Sequence, residues 1–245
     1  MKSHAIPNAY FKYLFRKGSG RGIVISTEEN VPVDFSNDSW ATFQLCLDCE
    51  KKLNNKYEKY TNDVLTNKDS KCIVTRTDKG VLFENIDTDR IKLCLLSILW
   101  RCSESDLKEY SYITLSDSLT ERLRVSLNSG IRFNSKEIYI DCRKLIDKSG
   151  HFNNEQLRNF IGQPKDIIYE RERARAWAFV FMGFYFEFFY NIKALSIEAK
   201  SEFFGFNPTA AFFQYVDISE IPEFVQMVRV ASDKNKRGLV NPKIS

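Results

Sequence analysis

Apolar and polar residues alternate with two different periods along this chain, and these periods predict the order of its elements. Apolar spacings of three and four residues are typical of amphipathic helices. They predict helices at residues 9–16, 49–66, 91–101, 117–127 and 223–231. The run at 91–101 is apolar nearly all round, so we expect it to form the central buried helix.

Strand patterns lie between and after these helices. Short runs rich in β-branched and aromatic residues occur at 71–77, 81–86, 137–142 and 167–169. The first two flank Asp78-Lys79-Gly80, a turn sequence that predicts a β-hairpin. Residues 174–190 predict one long strand or two joined at Gly183, and apolar residues on both alternations indicate burial of both faces.

Composition places these elements in a globular protein. With 245 residues, 43% of them hydrophobic and 28% charged, the chain can bury one large core or two small ones. Twenty Phe and eleven Tyr favour strands with wide packing surfaces. The most apolar run, at 174–190, is too short to span a membrane as a helix, so we expect no membrane association. Six Cys without a secretion signal predict reduced thiols and a cytoplasmic protein.

Charge narrows the function only slightly. The formal net charge of +4 is too small to indicate a nucleic-acid-binding protein by itself. Basic runs at 12–17, 171–175 and 234–237 leave two readings open, a nucleic-acid-binding patch or solvated surface charge. Function must therefore be sought in local motifs.

The first such motif is a pair of cysteines, Cys46 and Cys49, at the start of a predicted helix. A Cys-x-x-Cys turn lets two thiolates reach one zinc ion, and a structural site needs two further ligands. The candidates for completing it are Cys72, in the first strand after the helix, and His4. The other reading is that the pair consists of reduced or buried thiols that pack as small apolar groups.

The second motif is polar. Glu50, Asn54 and Glu58 recur every four residues and share one face of the helix that the cysteine pair opens. Carboxylate and amide oxygens are ligands that suit Mg²⁺. The same spacing also describes an ordinary exposed helix face, so both readings stay open.

Together these motifs resemble a known family. Ser3-His4-Ala5-Ile6-Pro7, followed by Cys46-Leu47-Asp48-Cys49-Glu50, is similar to the His-Ile-Ile-Pro and Cys-x-x-Cys pattern of bacterial proteins related to the HNH endonucleases, a ββα-metal, treble-clef group. Residues 55–60 and 87–101 are also similar to a branch of this group. The resemblance covers about the first hundred residues.

The resemblance implies roles for individual residues. His4 would be the general base that activates water, and Glu50, Asn54 and Glu58 would serve catalysis by holding Mg²⁺ or Mn²⁺. The three cysteines named above would bind a structural Zn²⁺. The chain departs from the family in two respects: it lacks the Cys pair expected before His4, and Glu50 stands where active members commonly have Asn or His.

We therefore predict an α+β protein with an N-terminal HNH-like treble-clef module, central helices and a C-terminal, mainly antiparallel β-sheet. The predicted division is 1–86 and 87–245, with His4 close to the Cys46 turn. The first functional hypothesis is a metal-dependent nuclease, or a degenerate relative, that acts on nucleic acid in bacterial defence. The alternatives are a non-catalytic adaptor that binds a protein partner and a small-molecule sensor with its pocket in the aromatic sheet.

Overall fold

A computed structural model describes residues 2–16, 21–26, 28–133, 138–169, 174–190 and 202–244. Its strands are β1 (Lys2–His4), β2 (Gly22–Val24), β3 (Asp34–Ser36), β4 (Ala41–Phe43), β5 (Ile73–Arg76), β6 (Gly80–Glu84), β7 (Ile138–Ile146), β8 (Lys165–Tyr169), β9 (Ala174–Phe181), β10 (Phe184–Tyr190) and β11 (Ala210–Asp217). Its helices are α1 (Asn8–Arg16), α2 (Leu47–Leu53), α3 (Lys59–Leu65), α4 (Thr88–Ser103), α5 (Asp117–Ser129), α6 (Asn154–Arg158) and α7 (Pro222–Lys236).

A seven-stranded sheet is the frame of the fold. Its strand order is β5-β6-β11-β7-β10-β9-β8, and every neighbouring pair is antiparallel except β11 and β7. Two small sheets, β1–β4 and β2–β3, lie outside it. The predicted mixed α and β fold with a mainly antiparallel sheet is therefore confirmed, whereas the treble-clef module stays a prediction.

Helix α4 is the central element, as its apolar sequence predicts. Asp87 caps its first turn by accepting a hydrogen bond from the Arg90 backbone N–H. The helix belongs to the larger of two hydrophobic clusters, which also contains the phenylalanines Phe179, Phe181 and Phe186 of the sheet. Its burial on nearly every side explains why no polar stripe interrupts the sequence.

The two sheet faces are covered unequally. Alternate residues of β7, β9 and β10 face the helical layer that contains α4, and their neighbours face a smaller cluster under α6 and α7. Strands β9 and β10 form a hairpin through Met182 and Gly183, both with positive φ, which resolves the choice left open for residues 174–190 in favour of two strands.

The predicted hairpin at 71–86 is also confirmed, since β5 pairs with β6. Strand β6, however, pairs on its other side with β11, from Ala210↔Glu84 to Gln214↔Gly80. The predicted division between 1–86 and 87–245 therefore passes through one continuous sheet. Of the predicted basic runs, residues 17 and 171–173 lie outside the described residues.

The helix predicted at 49–66 is longer and less regular than its sequence pattern indicates. It begins at Leu47, and α2 and α3 are joined by a π-helical turn, Asn54–Glu58. A π turn contains one extra residue and rotates the side chains that follow it, and such turns are frequent at functional sites. No helix within the described residues is long and apolar enough to cross a membrane.

Candidate functional site

Cys46 and Cys49 lie at the start of α2 with both thiols exposed and unoxidised. Cys46 is the N-cap residue, and its Sγ accepts a hydrogen bond from the Cys49 backbone N–H at 3.5 Å. This backbone bond, followed by a bond from the Cys49 side chain, lowers the pKa of Cys46. The pKa of Cys49 is raised, chiefly by its bond to Cys46. Cys46 therefore ionises more easily than an ordinary cysteine, and Cys49 less easily, although a metal ion could deprotonate it.

Cys72 differs from these two exposed thiols in its burial and hydrogen bonding. It is partly buried just before β5, its Sγ is 3.9 Å from the carbonyl oxygen of Ile73, and burial raises its pKa. Within the described ranges, no three His, Cys, Asp or Glu side chains are grouped so that they could hold one metal ion. The donor chemistry of Cys46 and Cys49 fits zinc, and the two thiolates would account for two of the four ligands of a structural site.

Three of the four predicted catalytic residues, His4, Glu50 and Glu58, lie around a buried arginine, Arg101 of α4, which is 1% exposed. Its Nη2 lies 2.6 Å from Oε1 of Glu58, and its Nη1 donates to the carbonyl oxygen of His4 at 2.7 Å. Its Nε donates to the carbonyl oxygen of Ser97 within the same helix at 3.2 Å. One guanidinium thus joins β1, the π turn and α4.

Glu50 and Glu58 both face this guanidinium, whereas Asn54 is exposed. Burial raises the pKa of Glu50, Arg101 opposes the rise, and the Glu58 carboxylate adds to it. Because the Glu58 carboxylate is already bound by Arg101, and because Asn54 is in solvent, the three side chains do not fit a common Mg²⁺ or Mn²⁺ site.

His4 lies half-buried in β1, and its Nε2 is 2.9 Å from Oγ of Ser39. Burial, followed by the nearby charges of Arg101 and Lys12, lowers its pKa, so the imidazole is neutral at pH 7. Its strand pairs with β4, which leads into the Cys46 turn, but His4 is opposite Ala41 at the far end of that ladder.

A second polar cluster, which the sequence did not indicate, lies on the sheet face toward α7. The fully buried Glu187 of β10 accepts a hydrogen bond from the Tyr169 hydroxyl, and its Oε2 is 2.9 Å from Nη2 of Arg143. Arg143 also donates to Asp141 at 2.7 Å. Burial raises the pKa values of Glu187 and of Glu223 at the start of α7. A single Glu among phenylalanines was the only sequence signal.

A cavity of about 400 Å³ lies beside this cluster, where β7 and the first half of β11 diverge. Strands β7 and β11 pair only from Gln214 onward, so the gap before it stays open. The lining combines Phe203 and Phe212 with Asp141 and Gln214. Its size is that of a small-ligand site, and the sensor hypothesis stays a prediction.

The chain was compared with protein-family models, with curated proteins and with solved structures, and none of them matches it significantly. The HNH resemblance therefore rests on the residues quoted for it. The roles that it implies for His4 and for the cysteine pair stay predictions.

Proposed function

We propose that this chain is a non-catalytic, HNH-like protein that binds zinc through Cys46 and Cys49 and binds nucleic acid. The observation that carries the metal-binding part is the cysteine pair itself, with two exposed thiols at the start of one helix and the pKa of the first lowered. The nucleic-acid part is supported by the family resemblance of the first hundred residues. Bound zinc would fix the start of α2 to the groups that supply its remaining ligands.

Binding without cleavage is supported by the surroundings of Arg101. Glu58 is held by this buried guanidinium, and the backbone of His4 is held by the same group. Removing either partner would leave a buried charge or donor unsatisfied, which is the behaviour of a structural cluster. A hydrolytic site needs carboxylates that are free to bind a metal ion and a phosphate oxygen.

The test is metal analysis of the purified full-length chain together with its Cys46→Ser, Cys49→Ser and Cys72→Ser variants. We expect zinc in the unmodified chain, at one ion per chain or one per two chains if two copies share it. Cys46→Ser and Cys49→Ser should lose the metal, and Cys72→Ser shows whether that thiol is a third ligand. A chain that binds no zinc when purified with zinc present contradicts the proposal.

The nucleic-acid part is tested separately by fluorescence anisotropy with labelled single- and double-stranded DNA and RNA. We expect saturable binding that weakens with salt, because phosphate contacts release counterions. A stoichiometric protein partner in the purified material, with no nucleic-acid binding, would instead indicate the adaptor.

A second candidate function, a nuclease that requires a divalent metal ion, is favoured by the neutral, half-buried imidazole of His4. This candidate predicts cleavage of DNA or RNA in the presence of Mg²⁺ or Mn²⁺. His4→Ala should abolish cleavage while the circular-dichroism spectrum is kept, and His151→Ala, in an exposed position, serves as the matched control. If no nucleic acid is cleaved with either ion, this candidate is excluded.

A further inference from the structure

A small cationic cleft lies where the sheet face toward α4 meets the end of α6, and neither the cysteine pair nor Arg101 lines it. Its charged walls are Arg76 at the end of β5, Lys144 of β7 and Arg158 at the end of α6. The rest of the lining is Asn67, just after α3, and apolar side chains: Leu65, Val74, Val81, Phe83 and Phe184. The cavity volume is about 30 Å³. This is two to three times the roughly 10–15 Å³ that one water molecule needs, so one small group can enter.

Lys144 forms the floor of this cleft. It is 9% exposed, and its Nζ donates to the carbonyl oxygen of Gly183 at 2.7 Å. The same ammonium is 4.3 Å from the ring centre of Phe184. Gly183 is favoured at the turn because its φ of 73° is strained for other residues, and a Cβ there would lie 2.7 Å from Nζ and displace the lysine head group. The turn of the β9–β10 hairpin thus holds the lysine head group in place.

The described part of the chain supplies no counter-charge to the three cations. Among the residues that the structure describes, no carboxylate lines the cleft, and the side chains of Arg76 and Arg158 form no ion pair. Nε of Arg158 is buried without a hydrogen-bond partner. A buried donor or charge without a partner destabilises the folded chain. An anion from outside would remove this penalty by pairing with the cations and accepting their hydrogen bonds.

We propose that the cleft formed by Lys144, Arg76 and Arg158 binds the phosphate group of a small ligand. Two guanidinium groups and one ammonium suit a doubly charged tetrahedral oxyanion better than a singly charged carboxylate, because the charges are then more nearly balanced. A phosphate monoester carries about −1.5 to −2 charge at pH 7 and three acceptor oxygens. The narrow space takes the oxygen atoms of this group that face Lys144 and leaves the rest of the ligand at the exposed mouth beside Arg76 and Asn67.

The electrostatics of the floor supports this site. Burial, followed by the charges of Arg158 and Arg76, lowers the pKa of Lys144 to about 7. The groups that face it are Arg158 from α6, Arg76 from β5, the Gly183 carbonyl oxygen and the Phe184 ring, and none of them carries negative charge. A bound dianion would restore the protonated lysine, so affinity should depend on pH near neutrality.

The experiment is isothermal titration calorimetry of the full-length chain with sodium phosphate, with sodium sulfate and with sodium chloride at matched ionic strength. We expect saturable binding of phosphate and sulfate in the millimolar range or tighter, and none of chloride. Lys144→Met, Arg76→Gln and Arg158→Gln should each weaken binding about tenfold, the usual effect of losing one charge-assisted hydrogen bond. Arg124→Gln, which removes an exposed charge on α5, should leave affinity unchanged.

The variants also separate site binding from general salt effects. Sulfate raises the stability of most proteins because it is excluded from their surfaces, and that effect would be equal in all four variants. The proposal is overturned if phosphate and sulfate do not bind, or if Arg76→Gln and Lys144→Met bind them as well as the unmodified chain. Arg76 is exposed, so its variant tests the site even if a buried substitution fails to fold.

Two further arms identify the source of the phosphate group. Adenosine 5′-monophosphate that binds more tightly than inorganic phosphate indicates a nucleotide, and equal affinities indicate the free anion; both results support the site. Sulfate does not titrate in this range, and its affinity should fall from about pH 6 to about pH 8 in the unmodified chain but not in Lys144→Met. Within the described residues no cysteine lines the cleft, so zinc loading should leave these affinities unchanged.

Discussion

Arg101 and Lys144 are both buried cations, and they differ in their neighbours. Burial by itself lowers the pKa of either group. At Arg101 the carboxylates of Glu58 and Glu50 reverse this effect, and the pKa is raised. At Lys144 the nearby arginines add to the effect of burial, and the pKa falls to about 7. A buried cation that is paired with a carboxylate of the same chain stabilises the fold. A buried cation surrounded by other cations can instead be neutralised by an anion from outside.

The largest expected effect follows from the matched charge. Arg101→Met should lower the free energy of unfolding by about 3–5 kcal/mol, because it leaves the buried Glu58 carboxylate without a partner. Urea denaturation followed by circular dichroism measures this change. The same substitution also removes the hydrogen bond to the His4 carbonyl oxygen, so β1 should lose amide-exchange protection first.

A double variant controls for the size of the arginine side chain. Arg101→Met combined with Glu58→Leu replaces the ion pair by apolar groups, and such replacements are often neutral or stabilising. We therefore expect the double variant to be more stable than Arg101→Met alone. A double variant that is no more stable would show that packing of α4, rather than charge pairing, makes Arg101 necessary.

The second prediction compares Lys144 with another buried lysine, Lys234 of α7, which is 3% exposed. Nζ of Lys234 donates to the carbonyl oxygens of Ser26 and Val31, each at 2.6 Å. Lys234→Met should destabilise the chain by about 1–3 kcal/mol, because both carbonyls lose their donor. Lys144→Met should instead stabilise it at pH 7 by about 1 kcal/mol, because a cation is removed from two others. The Gly183 carbonyl oxygen still accepts a hydrogen bond from the Leu145 backbone N–H. If both variants lose the same free energy of unfolding, Lys144 is as well satisfied by its neighbours as Lys234 is.

The third prediction concerns pH. The pKa of Lys144 is about 7 in the folded chain and 10.5 as an ordinary lysine, so between these values the unfolded chain binds the extra proton. Stability contributed by this group therefore rises with pH above about 7. The gain from Lys144→Met should shrink between pH 7 and about pH 9, as measured by the difference between two urea-denaturation series. A gain that does not change with pH would contradict the lowered pKa.

Much of the fold could be predicted because it is encoded locally. The apolar period of α4, the Ser116 and Gly130 caps of α5 and the Asp78-Lys79-Gly80 turn each act over a few residues, and all three elements are present. The pairing of β6 with β11 joins residues far apart in the sequence, and no local pattern specifies it. The division near residue 86 was predicted from local patterns, which carry no information about this pairing.

The sequence did not predict the Arg101–Glu58 pair or the cationic cleft, because the residues of each are far apart in the chain. An irregular helical turn is a second reason. Arg101 and Glu58 are distant in sequence, and the three cations of the cleft come from three separate elements. In addition, helical spacing places Glu50, Asn54 and Glu58 on one face, but the π turn at Asn54–Glu58 changes that geometry, so Glu58 is buried and Asn54 is exposed. An irregular turn of this kind leaves no periodic signal.

The smallest expected effect concerns Asn54 and Glu58, which lie at opposite ends of the π turn and differ in burial. Asn54→Ala should change the free energy of unfolding by no more than about 0.5 kcal/mol, because the side chain is exposed and alanine favours helix. Glu58→Gln, at the other end of the π turn, should cost more, because Arg101 loses the charge that its burial requires. Both are measured by urea denaturation at pH 7, with Glu121→Gln in the exposed pair on α5 as the control for loss of a carboxylate. If Asn54→Ala lowers the free energy of unfolding as much as Glu58→Gln does, both ends of the π turn stabilise the fold. The interpretation of Glu58 as structural and Asn54 as merely exposed is then wrong.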